Sequence, residues 1–392
     1  MRLSPILSLA FVFTVHAQTD LTGDTISGYP VITFLELSDV PSNTIQRYWL
    51  LTAVSQGMIP YFLPVFVARG TGDSLDTGRK LSLSASIHGD ELSGIPVVQR
   101  VFASLNDSVS SGTFNGTVIG LPTVNPNGNQ HNQRNFYSSA DSGFLTNLNR
   151  VFPGEDPAEG SFIADSYAYV IWNNLWGNTS NVDIAVDLHT LSTGVDGPLW
   201  AYADYRLDGV QRLAELAQPD IIKIDPGEPG SIETTWVDSE VPAITLEIGT
   251  AKVWRDDLID RAEQFIYRLM ADLSMLPNST APEIDLSNTY KGTNFSSVVA
   301  LQTGWVNMSV SVLDDIEEGQ EVGTLYNSWG DVLETLTSEV SGRALQVKTD
   351  PAVEQGTTVL QMVYNATDDG GTGGSRRKAK RSWGGERAAW WG

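Results

Sequence analysis

The distribution of apolar residues predicts alternating strands and helices over about the first 280 residues of the chain. Six short apolar runs are typical of strands, at residues 31–34, 61–67, 81–87, 117–121, 184–188 and 244–248. Three segments have apolar side chains at helical spacing, at residues 97–105, 161–176 and 257–273. A long polar loop is expected at 125–149. This alternation predicts an α/β sheet flanked by helices, in which functional residues collect at the carboxyl ends of the strands.

The pattern changes at residues 277–286. From 298 to 364 only short β runs remain, separated by Gly and Asp turns. Two stretches, 304–322 and 342–359, share an early Gly and a turn in which Glu and Gly follow Ile or Val. This repeat predicts a small all-β domain of the barrel-sandwich type found in biotinyl and lipoyl carriers. Residues 326–339, where a carrier would present its lysine, contain none. We therefore expect a structural or substrate-restricting domain without a covalent cofactor.

Both ends of the chain differ from its middle. Arg2, the apolar stretch at 6–15 and a Val-His-Ala cleavage site predict a secretory signal peptide over residues 1–17. Residues 367–392 are rich in Gly, Ser and Arg, which predicts a disordered basic tail. Between them we expect a catalytic α/β domain at 18–286 and the C-terminal β-domain at 287–366.

The composition is that of a secreted globular protein. Of the 392 residues 41% are hydrophobic, enough for a packed core. Seven Asn-x-Ser/Thr sequences predict N-glycosylation, at Asn106, Asn115, Asn178, Asn278, Asn294, Asn307 and Asn365. After the signal peptide no apolar run reaches the roughly 18 residues of a membrane span. The net charge of −23 disfavours nucleic acid as a partner, and the absence of cysteine excludes disulfides and thiolate ligands.

Histidine is scarce, and two of the four histidines stand in metal-ligand contexts. His88 begins a His-Gly-Asp-Glu sequence that ends at Glu91, and His189 follows about a hundred residues later in Asp-Leu-His-Thr. Two imidazoles and one carboxylate leave a fourth position of zinc open for water, which is typical of catalytic sites. The sequence therefore predicts one Zn²⁺ per chain, held by His88, Glu91 and His189.

Two further motifs carry candidate chemistry. Asn149 and Arg150 place an amide beside a guanidinium, a pair suited to binding a substrate carboxylate. Glu247 stands at a predicted strand end, where a general base for a zinc-activated water is needed.

Together these motifs resemble a known family. The order His-Gly-Asp-Glu, Asn-Pro-x-Gly, Asn-Arg-x-Phe-Pro-Gly, Asp-Leu-His-Thr and Glu-Ile-Gly is similar to that of zinc deacylases related to succinylglutamate desuccinylase and aspartoacylase. The resemblance covers residues 81–364 and is closest to the branch with a C-terminal β-domain. It implies a zinc-carboxypeptidase-like mixed sheet, the same three zinc ligands, and Glu247 as base and proton shuttle. It also implies that Asn149 and Arg150 hold the substrate carboxylate and that Arg134 polarises the scissile carbonyl.

One position departs from the family. An Asp usually precedes the Asn-Arg pair by two residues and orients a zinc-bound histidine, but this chain has Asn147 there. An amide oxygen still accepts the imidazole N–H, although it raises the basicity of the ligand less than a carboxylate does.

These observations predict a secreted, zinc-dependent hydrolase that cleaves the amide bond of a small N-acyl amino acid or a related substrate. A zinc carboxypeptidase acting on peptide C-termini is the first alternative. An open groove with an apolar end pocket would favour the carboxypeptidase, whereas a site roofed by the β-domain would favour the small substrate. A non-catalytic secreted binding module is the second alternative, which metal content and turnover would distinguish.

Overall fold

A large mixed sheet forms the centre of the computed structural model, which describes residues 18–139 and 145–365. The predicted signal peptide and basic tail lie outside the described residues. Strands up to residue 292 are β1 (Asp20–Ile26), β2 (Tyr29–Phe34), β3 (Thr44–Val54), β4 (Pro60–Arg69), β5 (Arg79–Ala85), β6 (Gly116–Leu121), β7 (Phe136–Tyr137), β8 (Leu145–Thr146), β9 (Ile184–Leu191), β10 (Val195–Asp196), β11 (Leu199–Ala203), β12 (Ile221–Ile224), β13 (Ala243–Thr250) and β14 (Tyr290–Gly292). Eleven of them form this sheet, in the order β1-β2-β3-β4-β6-β5-β9-β13-β11-β12-β14.

The middle of the sheet is parallel. Strands β6, β5, β9 and β13 run in one direction, so their carboxyl ends meet at one edge. The short runs rich in apolar residues that predicted these strands are buried on both faces, as expected for parallel strands covered by helices. Strand β9 runs on past the expected end at 188, so His189 lies inside the strand rather than after it, and Glu247 lies inside β13 as predicted.

Helices cover the sheet. They are α1 (Ser74–Thr77), α2 (Gly94–Ser110), α3 (Pro126–His131), α4 (Ile163–Val170), α5 (Val210–Ala217), α6 (Ile232–Asp238) and α7 (Asp256–Asp272). The helices predicted at 97–105 and 257–273 are confirmed as α2 and α7, and the one at 161–176 is α4 continued by a π-helical turn at Ile171–Leu175. The polar loop expected at 125–149 was partly wrong, because it contains α3, the β7–β8 pair and a 3₁₀ turn at Leu148–Arg150. No helix among the described residues is long and apolar enough to cross a bilayer.

The C-terminal region is all β, as the sequence predicted. Its strands are β15 (Asn294–Val299), β16 (Gly304–Met308), β17 (Asp315–Ile316), β18 (Glu321–Tyr326), β19 (Val332–Thr337), β20 (Gly342–Lys348), β21 (Ala352–Val353) and β22 (Thr358–Tyr364). One sheet contains β15, β22, β20 and β17, and the other has the order β19-β18-β16-β21. The two sheets share an apolar core, and the pairings among described residues do not close a barrel.

Strand pairing joins this region firmly to the large sheet. β10, which lies between β9 and β11, pairs with β20, and β14 pairs with β12 at the edge of the large sheet. A separate apolar cluster lies between the two parts, formed by Leu191, Trp200, Ile221, Leu345 and Val363. The C-terminal region is therefore packed against the strand ends that carry the candidate site.

Candidate active site

The three predicted metal ligands converge below the surface. Ligand atoms of His88, Glu91 and His189 all lie within 4.8 Å of one another. Nδ1 of His88 lies 2.9 Å from one oxygen of Glu91, and Nδ1 of His189 lies 2.9 Å from the other. Each of the three residues is at most 3% exposed. The structure thus brings together residues that are about a hundred positions apart.

Each of the two histidines contacts a side-chain oxygen through Nε2, the ring nitrogen that faces away from Glu91. Nε2 of His88 lies 3.1 Å from Oδ1 of Asn147, and Nε2 of His189 lies 2.7 Å from Oδ2 of Asp187. Ser84 donates to the second oxygen of Asp187 over 2.6 Å. Acceptors at Nε2 place the ring proton there, which leaves both Nδ1 lone pairs directed toward Glu91.

This donor set fits zinc. Nδ1 of His88 is buried and makes no hydrogen bond with any described residue, despite its short approach to Glu91. A buried nitrogen without a partner is costly, and a metal ion is one means of satisfying it. Two imidazoles and one carboxylate are the ligands of many catalytic zinc sites, so the residues present match the predicted ion.

The turn that delivers His88 is built by close backbone packing. After β5 ends, Ser86 adopts a left-handed conformation with φ 56°, which redirects the chain. A Cβ on Gly89 would lie 2.2 Å from the backbone of Gly128, so only glycine fits between this turn and α3. Asn129 donates to Oγ of Ser86 and to the carbonyl of Gly89 over 2.9 and 2.8 Å. The Asn-Pro-x-Gly segment therefore supports the His-Gly-Asp-Glu turn.

Burial and charge together set the protonation of the three ligands. Burial, with the positive charge of Arg134, lowers the pKa of His88 to about 4, which keeps that imidazole neutral. Burial alone would lower the pKa of His189, but the carboxylates of Asp187 and Glu91 outweigh it and raise that pKa. Burial would raise the pKa of Glu91, but its contacts with His88 and His189 and the positive charge of Arg134 hold it well below its usual range.

Glu247 lies beside this group. It is the register partner of His189 on the neighbouring parallel strand, so the two side chains point to the same face of the sheet. Burial, followed by the negative charge of Glu91, raises the pKa of Glu247 to about 8. Its Oε2 is buried and has no hydrogen-bond partner among the described residues. A carboxyl group with a pKa near neutrality can both take up and release a proton, as the predicted general base requires.

The other predicted residues also reach the site. Nη1 of Arg134 donates to Glu91 and, over 3.0 Å, to Oγ of Ser192. Arg150 and Asn149 line a cavity beside the ligand group. Asn149 also accepts the backbone N–H of Ile232 over 2.8 Å, which ties the Asn-Arg turn to the start of α6. The structure therefore places every predicted site residue around one centre.

Two cavities meet at this centre. The first, of about 200 Å³, extends toward Asn149, Arg150 and Glu228. The second, of about 350 Å³, extends along the end of β9 toward β20 and β22. His88, His189, Arg134, Glu247, Tyr202 and Gln361 line both. The C-terminal region contributes to both walls, so it forms part of the site.

Sequence reasoning missed several residues here. The contact of Asp187 with His189 could have been found, because residues i and i+2 of a strand share one face. Glu233 on α6 is buried in the first cavity, and burial raises its pKa to about 8. Phe295 and Gln361 come from the C-terminal sheets, and no local signal places such residues in the cavity wall.

The parallel strands of this mixed sheet bring together a His-Glu-His group, a buried acid and two arginines. Metal-dependent hydrolases use sites of this type. Residues 77–273, half of the chain, match the family model described as the succinylglutamate desuccinylase/aspartoacylase catalytic domain. The chain therefore belongs to this family, as its motifs predicted. Membership supports a hydrolase of the deacylase or amidohydrolase type.

Solved structures share the fold. A succinylglutamate desuccinylase/aspartoacylase from Rhodobacter sphaeroides has a TM-score of 0.67 and 18% identity, covering 83% of this chain and 98% of its own. The ectoine utilization protein EutE (DoeB) from Ruegeria pomeroyi, in a product-bound structure, has a TM-score of 0.68 and 18% identity, covering 83% and 97%. An aspartoacylase family protein from Mesorhizobium loti has a TM-score of 0.65 and 19% identity, covering 89% and 99%. Comparison with curated proteins gave no match.

Proposed function

We propose that the protein is a zinc-dependent deacylase that hydrolyses the amide bond of a small N-acyl amino acid. The observation that carries this proposal is the wall that the C-terminal region builds around the ligand group. Phe295 and Gln361 line the first cavity, and residues of β20 and β22 line the second. A site walled by the C-terminal region on both sides favours a small substrate over a peptide chain, and so the deacylase over the carboxypeptidase.

The residues around the centre have complementary roles in this reaction. When bound, zinc supplies a Lewis acid that makes a carbonyl more electrophilic and a water molecule more acidic. In this proposal Arg134 donates a hydrogen bond to the carbonyl oxygen, and Arg150 binds the substrate carboxylate. Glu247 takes a proton from the attacking water, whose oxygen bonds to the carbonyl carbon. It passes a proton to the nitrogen as the C–N bond breaks, which gives a carboxylic acid and an amine.

We also propose that the protein is secreted and glycosylated. The sequence of residues 1–17 supports secretion. None of the seven glycosylation sequences has a buried asparagine, since five are exposed and two are partly exposed. Expression in a eukaryotic secretory host should yield protein in the medium whose mass falls on treatment with an N-glycosidase. Retention of the protein inside the cells would argue against secretion.

The activity is tested with the purified full chain. We expect it to hydrolyse members of a panel of N-acyl amino acids, to lose turnover in a chelator and to regain it with added zinc. Short peptides with free C-termini serve as the comparison substrates. Faster release of C-terminal residues from peptides would establish the carboxypeptidase instead. Zinc binding without turnover on either panel would favour a binding module.

A further inference from the structure

The second cavity has an apolar wall built from both parts of the chain. Trp200 on β11 is the antiparallel register partner of Glu247, so its side chain lies on the same face as the ligand group. Leu191 and Val195 extend the wall along the end of β9 and into β10, and Val359 and Leu360 complete it from β22. All of these except Val195 are at most 5% exposed. The volume of about 350 Å³ is more than twice the roughly 150 Å³ that holds a benzene ring.

Polar groups in this wall lack partners. Oε1 of Gln361 and Nε1 of Trp200 are both buried, and neither has a hydrogen-bond partner among the described residues. Gln361 is the antiparallel register partner of Gln346, so the two amide side chains share one face and both line the cavity. Buried polar atoms are nearly always paired, so a ligand that offers a donor to Gln361 and an acceptor to Trp200 would satisfy both.

Positive charge is weak in this cavity. Arg134 already contacts Glu91 and Ser192. Apart from the metal-ligand histidines, the other cation among the described lining residues is Lys348, which is only partly buried and whose ammonium is directed toward Gly194 in the turn between β9 and β10. The wall therefore offers apolar contact and amide hydrogen bonds in its depth, with one cation at its margin.

We infer that the second cavity holds the acyl group of the substrate and selects a medium-sized, uncharged acyl chain, aliphatic or aromatic, over acetyl and succinyl. This inference rests on the proposed deacylase function. Asn149 and Arg150 line the first cavity and not the second, so a substrate carboxylate bound there leaves the second cavity to the other side of the amide. A trans amide directs its two substituents to opposite sides, which matches two cavities that meet at the metal ligands.

The inference is tested with a matched substrate series of N-acetyl-, N-succinyl-, N-hexanoyl- and N-benzoyl-alanine. Hexanoyl and benzoyl substrates should exceed acetyl and succinyl in kcat/KM by about 10-fold or more, since each methylene buried in an apolar pocket contributes substantially to discrimination. V195W, which narrows the second cavity, should lower kcat/KM for benzoyl about 10-fold more than for acetyl. V332W is the matched control, because Val332 is 60% exposed in the C-terminal region and lines neither cavity. Circular dichroism and thermal unfolding of both variants establish that they are folded.

Measuring ligand binding tests this inference separately from the proposed function. In calorimetry with the zinc-loaded wild type, benzoate and hexanoate should bind more tightly than acetate and succinate, and V195W should weaken benzoate more than acetate. This readout needs no turnover, so it tests the cavity even if no amide is cleaved. A wild type that prefers succinyl, and loses that preference in K348M, would overturn the inference in favour of an acidic acyl group. Benzoate binding that V195W leaves unchanged would also overturn it.

Discussion

Replacing Asp187 by Asn isolates the contribution of one buried charge to metal binding. Asp187 is 1% exposed, and one of its oxygens lies 2.7 Å from Nε2 of His189. Its other oxygen accepts a hydrogen bond from Ser84. An asparagine amide can keep both contacts, with its oxygen toward the imidazole and its nitrogen toward the serine hydroxyl. The substitution therefore removes the negative charge while conserving shape and hydrogen bonding.

Loss of this charge should weaken zinc binding by about 10- to 100-fold, as removal of a residue that orients a metal-bound histidine typically does. That corresponds to roughly 1.4–2.8 kcal/mol. The carboxylate makes the imidazole a stronger donor, and burial keeps solvent from screening the charge. The pKa of His189 in the metal-free protein should fall as well, because Asp187 contributes to raising it.

At His88 a negative charge can be added instead of removed. N147D should tighten zinc binding by about 10-fold, because it places a carboxylate at Nε2 of His88, where the family usually has one. Zinc affinity is measured by competition with a chromogenic chelator, and the pKa of His189 by NMR titration of the metal-free protein. D183N is the matched control: Asp183 precedes β9 and accepts the backbone N–H of Lys80, away from both imidazoles.

Equal zinc affinity in D187N and D183N would refute the reasoning, since the first removes a charge beside a ligand and the second does not. An N147D variant that binds zinc no more tightly than the wild type would show that His88 gains nothing from a charged partner.

The remaining predictions concern the reaction and the core. E247Q should retain zinc by elemental analysis and lose about 100- to 10,000-fold in turnover, and near-normal turnover would place the base elsewhere. R150A should lower kcat/KM on N-acyl amino acids by about 10-fold or more and leave their amidated analogues unaffected, so an equal loss on both would exclude carboxylate recognition. W236A should lower the free energy of unfolding by about 3–5 kcal/mol in denaturant titration, because Trp236 is 1% exposed and packs against Trp172 and Trp176. A loss below about 1 kcal/mol would show that this tryptophan cluster contributes little to stability.

The sequence predicted the elements whose signal is local. The strands around His88, His189 and Glu247 are short runs rich in apolar residues, and α7 has a clear apolar face. The helix α3 was missed because it is six residues long and polar, and depends on a proline at its start and the side chain of Asn125 as its cap.

The candidate site also contains residues that the sequence predicted and residues that it did not. The metal ligands were found from residue type and order, which do not depend on distant packing. The two cavities could not be predicted, because their walls depend on how β20 and β22 pack against the end of β9. Gln361 and Trp200 have no motif, and their strands are brought to one centre by the pairings of β10 with β20 and of β12 with β14.

That pairing has a mechanical consequence. Only three residues separate the end of β9, which holds His189, from β10, which is hydrogen-bonded to the C-terminal region. This short stretch therefore couples the position of the His189 imidazole to the position of the second cavity's wall. Insertions or deletions between β9 and β10 should therefore disturb the ligand geometry and the cavity wall together.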